Sequence, residues 1–179
     1  MTRAVLRTAP TAELPAARLA AAHALFATAF GPDVDPSDWE HCLGGVHITL
    51  DEDGELIGHA AVVGRRLTHR GRTLHTGYVE GVAVAAGHRG RGHGAALLAA
   101  VERVVRERYA LGALSSTADA LSFYERLGWQ RWRGTTAVLT PHGPQRTPED
   151  DDALFVLPVS VALEPHGELV CDHRAGDPW

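Results

Sequence analysis

Cysteine is nearly absent from this chain. Only Cys42 and Cys171 occur, far apart and without close-spaced partners. That leaves no zinc-ligand spacing and makes a disulfide framework an unfit expectation. No apolar run reaches about 18 residues, so no membrane-spanning helix is expected. The opening residues, Met1–Arg7, lack the apolar core of a signal peptide, and a cytoplasmic location is expected. Basic charge is not in excess either: 17 Lys and Arg face 22 Asp and Glu, a formal net charge of -5. A basic face for broad nucleic-acid binding is therefore not expected. The balance instead favours cationic partners, through an attraction that salt weakens. The eleven histidines include no H-x-x-x-H or H-E-x-x-H spacing, and no metal is expected. His88 and His93 read as surface residues, and His23 as a boundary or capped core histidine.

What is present suits one well-packed domain: 179 residues, 45% of them hydrophobic, with no internal repeat. Ala4–Arg7 reads as a short strand. Thr11 reads as the N-cap of a helix running to about Ala29, and Asp35 with Pro36 starts a short helix through Leu43. Val46–Leu50 and Leu56–Leu67 read as strands joined by a hairpin at Asp51–Gly54, and Thr68–Arg72 as a second turn. Beyond a long helix, Gly112–Ser116 reads as a strand. Ala118–Trp129 reads as a helix closed by Gly128, Gln130–Leu139 as a strand, Pro141–Asp152 as a loop, and Leu154–Val161 as a further strand. The tail from Pro165 has room for one more strand at Leu169–Cys171.

The organising stretch is Tyr78–Leu98. Val79, Val82 and Val84 suit a buried strand. Gly87 breaks it, and Arg89–Gly94 alternates glycine with larger residues. Ala95–Arg108 then has helical periodicity, with Leu97, Leu98, Val101, Val104 and Val105 on one side. A glycine-rich turn feeding a helix presents backbone N–H groups at the positive end of the helix dipole, a geometry suited to a phosphate or pyrophosphate. Three readings compete for this stretch: a tight turn with no ligand, a dinucleotide site built on Gly90, Gly92 and Ala95, and a third, an acyl-coenzyme A site, that rests on the resemblance described next. The dinucleotide reading needs an acidic residue about 20 positions on, at the end of the next strand. That strand ends in serines, Ser115 and Ser116.

The R-G-x-G-x-G run at Arg89–Gly94, its flanking strand and helix, and Phe123–Trp129, which fits an F-Y-x-x-x-G-F/W segment, resemble the GNAT acetyltransferases. The resemblance extends to the aminoglycoside 2′-N-acetyltransferases of actinobacteria. It is carried by Trp39–His41, Leu43–Gly45, Gly77–Val84, Gly112–Ser116, Thr147–Pro148 with the acids that follow, Phe155–Pro158 and Asp172–Trp179. It implies an α/β (α+β) GNAT fold: a mixed central sheet flanked by helices, one domain over residues 1–179, with the tail 165–179 contributing to the substrate site. It also implies acetyl-CoA as co-substrate, a polycationic aminoglycoside as acceptor, and a homodimer. Within the glycine turn, Gly92–Gly94 is closer to the general GNAT pattern than to some 2′-N-acetyltransferases.

The resemblance carries site residues with it. Main-chain groups of Val82, Ala83 and Val84 would pair with the pantetheine arm, a main-chain N–H there supporting the oxyanion. Arg89, Gly90, Arg91, Gly92, His93 and Gly94 would hold the pyrophosphate. Tyr124 matches the proton donor to the departing thiolate, with an ordinary packed aromatic as its plain alternative. Strand alternation puts Tyr78 and Glu80 on one face. Glu80 is expected to accept the amine proton through water or to attract the ammonium; its plain alternative is a strand-end Glu paired with Arg. Carboxylates should line a polycation site. Asp33, Asp35 and Asp38, the run Glu149–Asp152, and Asp177 offer them, although acid runs are commonly solvated surface. Asp33, Gly81, Ser115, Asp150, Asp177 and Trp179, the last through a terminal carboxylate, are the expected drug contacts. Two alternatives stay open: a GNAT enzyme acting on another small polyamine or metabolite, and a non-catalytic acyl-CoA-binding domain.

Overall fold

Glycine and proline set most of the element boundaries. The computed structural model describes residues 4–179. They form two compact units: the chain up to Val63 with Val79–Val104, and Gly64–Tyr78 with Val105–Trp179. No helix among the described residues is long and apolar enough to cross a membrane.

In the first unit, β1 (Val5–Pro10) pairs antiparallel with β2 (Val46–Glu52), and β2 with β3 (Glu55–His69). The β2–β3 turn has Asp53 at φ 53° and Gly54 at φ 84°, the left-handed pair that a tight hairpin needs. Helix α1 (Ala16–Phe30) begins later than the sequence suggests. Pro15 fixes its own φ and holds Leu14 extended, so Thr11 starts only a short 3-10 turn, Thr11–Glu13. The Thr11 hydroxyl is used elsewhere, accepting from the Gly44 amide at 3.0 Å. Helix α2 (Pro36–Glu40) has the expected Asp35 cap, completed as a capping box by Asp38, and ends before Leu43. Phe26, Trp39, Cys42, Ala22 and Ala61 form an apolar cluster with Leu19, Val34 and Leu56 packed against it. The end of β4 (Arg72–Val84) and most of α3 (His93–Arg108) complete this unit. Leu97, Leu98 and Val101 of α3 are fully buried, as their spacing predicts.

The second unit holds β5 (Leu111–Ser115), α4 (Leu121–Arg126), β6 (Gln130–Arg131), β7 (Thr135–Thr140), β8 (Gly143–Arg146), β9 (Leu154–Pro158) and β10 (Glu168–Cys171). With the first half of β4 and the last residues of β3, their order is β6-β9-β5-β4-β3-β10-β7-β8. β4–β5 and β10–β7 pair parallel, whereas β5–β9, β6–β9, β7–β8 and β10–β3 pair antiparallel. The sheet is therefore mixed, as expected for the α+β class.

Two expectations need correction here. Gln130–Leu139 is not one strand. Trp132 is fully buried and its indole N–H donates to the Gly167 carbonyl at 3.2 Å. At Gly134, a Cβ would lie 1.7 Å from that same oxygen. The close crossing breaks the strand into β6 and β7. Pro141–Asp152 is not all loop either, since β8 folds back on β7 through Gly143 at φ 103°.

Gly112 on β5 faces Val105 Cγ1 at 3.0 Å, Trp129 Cη2 at 3.1 Å and Leu157 Cβ at 3.2 Å from a notional Cβ. Gly112→Ala should overpack this contact and cost about 1–3 kcal/mol. Thermal denaturation should show a fall of several degrees; an unchanged midpoint would mean that the neighbours yield freely.

Candidate active site

The end of β4 is an irregular backbone. Gly81 has φ 57°, and a Cβ there would lie 2.8 Å from Cys42 Sγ and 3.2 Å from Phe26 Cδ2. Both the conformation and the space demand glycine. Its carbonyl accepts a hydrogen bond from His59 Nδ1 at 3.0 Å. Glu80, Val82 and Val84 around it are half-buried, and Ala83 is buried.

Beyond Val84 the chain makes one 3-10 turn, Ala86–His88, and enters the glycine run. Gly90 and Gly92 take φ 73° and 83°, with no atom within 4 Å of where either Cβ would stand. The Ala96 amide bonds back to the Gly92 carbonyl at 3.0 Å and so opens α3. The amides of His93, Gly94 and Ala95 thus precede the first intrahelical bond, at the positive end of a 16-residue helix. Arg89 and Arg91 are exposed beside them, and Arg89 Nε ties the turn to the strand through the Val84 carbonyl at 2.9 Å. Glycines with open space around them, amides at a helix start and two exposed guanidinium groups are groups that suit a pyrophosphate. The reading of His88 and His93 as surface residues is corrected: both are half-buried, and His88 Nε2 lies 3.2 Å from Glu52 Oε2.

Of the early-loop carboxylates, Asp35 and Asp38 are consumed by the α2 cap. Asp35 Oδ1 accepts from Ser37, and Asp38 Oδ2 accepts from the Asp35 amide at 3.1 Å. Asp33 stays exposed in its turn.

In the second unit the acids divide by role. Asp151 is structural: its carboxylate accepts from the Thr136 amide and hydroxyl, both at 2.9 Å, and from Arg146. Asp150, on the neighbouring 3-10 turn, is pushed up to about 6 by burial, with the Asp177 and Glu149 carboxylates adding repulsion. The tail brings Asp177 there. Trp179 is buried, its indole N–H donating to Thr147 Oγ1 at 3.0 Å and its amide to Asp177 Oδ1 at 2.9 Å. Arg65 staples the tail: its guanidinium reaches Asp172 Oδ1 at 3.0 Å, the Asp172 carbonyl at 2.7 Å and the Pro178 carbonyl at 2.8 Å. The same side chain lies 4.9 Å over the Tyr78 ring. Ser115 ends β5, exposed, opposite Leu154 of β9.

Tyr124 is buried in α4, its ring against Phe123 and Phe155. Burial pushes its phenol up to about 12, so it keeps its proton at neutral pH and can serve as an acid.

Sequence reasoning singled out neither Arg65 nor the buried histidines His47 and His59. Their signal is local: each histidine sits inside an apolar strand segment, Val46–Leu50 or Ile57–Val63. A polar ring there must find partners.

A model of the acetyltransferase (GNAT) family matches residues 16–129. The chain is 50% identical over 155 residues to an aminoglycoside 2′-N-acetyltransferase of Mycolicibacterium fortuitum, covering 84% of this chain and 80% of that protein. Among solved structures, a GNAT family N-acetyltransferase (YhbS) from Escherichia coli in complex with CoA has the same fold. It gives a TM-score of 0.70 at 20% identity, over 95% of this chain and 90% of the other. A GCN5-related N-acetyltransferase from Kribbella flavida gives 0.59 at 21% identity over 73% of this chain, which spans about a third (34%) of that longer chain.

The strained carboxylate makes a prediction. Because the folded state raises the Asp150 pKa from 3.8 to about 6, it binds more protons than the unfolded state, and stability falls as pH rises through that window. Asp150→Asn should therefore raise the melting temperature most at and above neutral pH, with the gain fading as pH falls toward 4. A gain independent of pH would sink the assignment.

Proposed function

The chain belongs to the GNAT acetyltransferase family, and from that premise we propose that it transfers acetyl from acetyl-CoA to the 2′-amino group of aminoglycoside antibiotics. The transfer runs by direct attack in a ternary complex and confers resistance. We propose further that residues 1–179 act as one GNAT domain, as a cytoplasmic homodimer. The observation that carries the substrate class is the Asp150–Asp177 carboxylate pair, kept close despite repulsion and burial. An ammonium between them would relieve both costs, and aminoglycosides are polycations. The half-identical relative named for this activity supports the same reading.

Acetyl-CoA supplies an activated acetyl thioester. Toward it, Arg89–Gly94 and the first amides of α3 bind the pyrophosphate, and the main chain of Val82, Ala83 and Val84 orients the pantetheine arm. Tyr124, protonated at working pH, holds the proton that the departing thiolate takes. Glu80 draws the acceptor ammonium and takes its proton, directly or through water. Asp33, Gly81, Ser115, Asp150, Asp177 and Trp179 contact the drug. The strand carries no cysteine near Glu80, so no acetyl-enzyme is invoked.

A thiol-release assay tests this with paired drugs. Tobramycin and gentamicin, which carry a 2′-amine, should turn over, whereas kanamycin A and amikacin, with a 2′-hydroxyl, should not. Turnover of both pairs would move the reaction to another amine. Turnover of neither, with acetyl-CoA bound, would favour a different acceptor or a binding domain. In the same assay Tyr124→Phe should lower kcat by about 10²-fold or more with the KM for acetyl-CoA nearly unchanged. An unaffected kcat would exclude it as the acid.

A further inference from the structure

A one-way chain of hydrogen bonds runs beneath the irregular end of β4. The Gly81 carbonyl can only accept, so the His59 Nδ1 at 3.0 Å carries a hydrogen. His59 is fully buried, and burial depresses its pKa to about 4; the ring is neutral and its Nε2 is bare. That nitrogen lies 2.9 Å from His47 Nδ1, which must then be the donor. His47 is also buried, and burial lowers its pKa, leaving its Nε2 bare. It accepts from the Thr11 hydroxyl at 2.8 Å, the Gly45 carbonyl being a more distant acceptor for that hydrogen at 3.3 Å, and Thr11 Oγ1 accepts from the Gly44 amide at 3.0 Å. Every link points the same way, from a backbone N–H at one end to a backbone carbonyl at the other. Trp39 packs against the pair, its ring 5.6 Å from His59 and 6.3 Å from His47, and His23 stacks on the same indole at 4.8 Å.

The last link has a consequence for β4. No peptide in the described chain is cis. In a planar trans unit, carbonyl and N–H point in opposite directions. Fixing the Gly81 carbonyl on His59 therefore turns the Val82 N–H to the other side. With φ 57°, Gly81 is free to adopt other backbone conformations once that bond is lost.

We propose that His47 and His59 form a neutral hydrogen-bond relay, anchored at Thr11, that holds the Gly81–Val82 peptide in the orientation that acetyl transfer uses. His59 is thus a positioning residue, acting through the backbone between Glu80 and Val82. This rests on the reading that this backbone presents the acetyl group and that Glu80 handles the amine.

The test joins kinetics with a direct view of the rings in the wild-type protein. His59→Phe keeps a ring but has no donor; His59→Asn places an amide N–H where Nδ1 stands. With tobramycin and acetyl-CoA, His59→Phe should lower kcat by about tenfold or more and leave the KM for acetyl-CoA within about twofold, and His59→Asn should recover most of the loss. Long-range ¹H–¹⁵N spectra of ¹⁵N-histidine-labelled protein at neutral pH should show both rings protonated at Nδ1 and bare at Nε2. A His59→Phe enzyme as fast as wild type, a folded His59→Asn enzyme as slow as His59→Phe, or a protonated Nε2 on either ring would overturn the relay. If His59→Phe fails to fold, the wild-type tautomers and the His59→Asn kcat decide together. A wild-type enzyme with these tautomers but no turnover of 2′-amine drugs would instead defeat the acetyl-transfer reading, and the relay's catalytic role with it.

Discussion

One residue without a side chain constrains the end of β4. Gly81 must take a left-handed backbone, must leave room for Cys42 and Phe26, and must offer its carbonyl to His59. Any side chain would violate the first two demands together. The apolar cluster of α1 and α2 presses on this point from one side, through Phe26 and Cys42. The histidine pair answers it with a polar contact inside otherwise apolar strands. A buried network of this kind is favourable only when every member is satisfied. Here the chain of donors and acceptors closes at both ends on the backbone.

The second unit shows the opposite economy. Arg65 spends its guanidinium on tail carbonyls and on Asp172. Trp179 adds a buried ring and a bond to Thr147. The effect is to bring Asp177 toward Asp150, which lowers stability above the carboxylate range. Like charges held together at a cost, in a segment otherwise well bonded, are what the proposed ammonium contact would relieve.

Much of this was legible in the sequence, for physical reasons. The β2–β3 hairpin, the Asp35 cap and the glycine turn each depend on a few neighbouring residues, and local chemistry reads them well. The apolar stripe of α3 follows from periodicity alone. Failures came where distant chain segments decide. Thr11 resembles an N-cap, but the distant Gly44 claims its hydroxyl, and the nearby Pro15, a local signal, delays the helix. Gln130–Leu139 looked continuous, and only the crossing of Gly167 over Gly134 breaks it. Within the candidate site, the glycine run and Tyr124 were visible because their motifs are contiguous. Asp35 and Asp38 resembled ligands until the cap was seen to use them. His47, His59 and Arg65 escaped notice because partners far along the chain define their roles.

The chemistry asked of these residues is modest. In the proposed reaction a pyrophosphate would be held, a backbone amide aimed, a proton supplied by a phenol that keeps it at neutral pH, and a polycation anchored by carboxylates. Regiochemistry is the sharpest demand of the proposed reaction, since tobramycin presents several amines of similar reactivity. The most direct measurement is the position of the acetyl group in the product, located by two-dimensional NMR of tobramycin after enzymatic turnover. The account predicts a single acetyl on the 2′-nitrogen. An acetyl on any other nitrogen, or a mixture of positions, would contradict it.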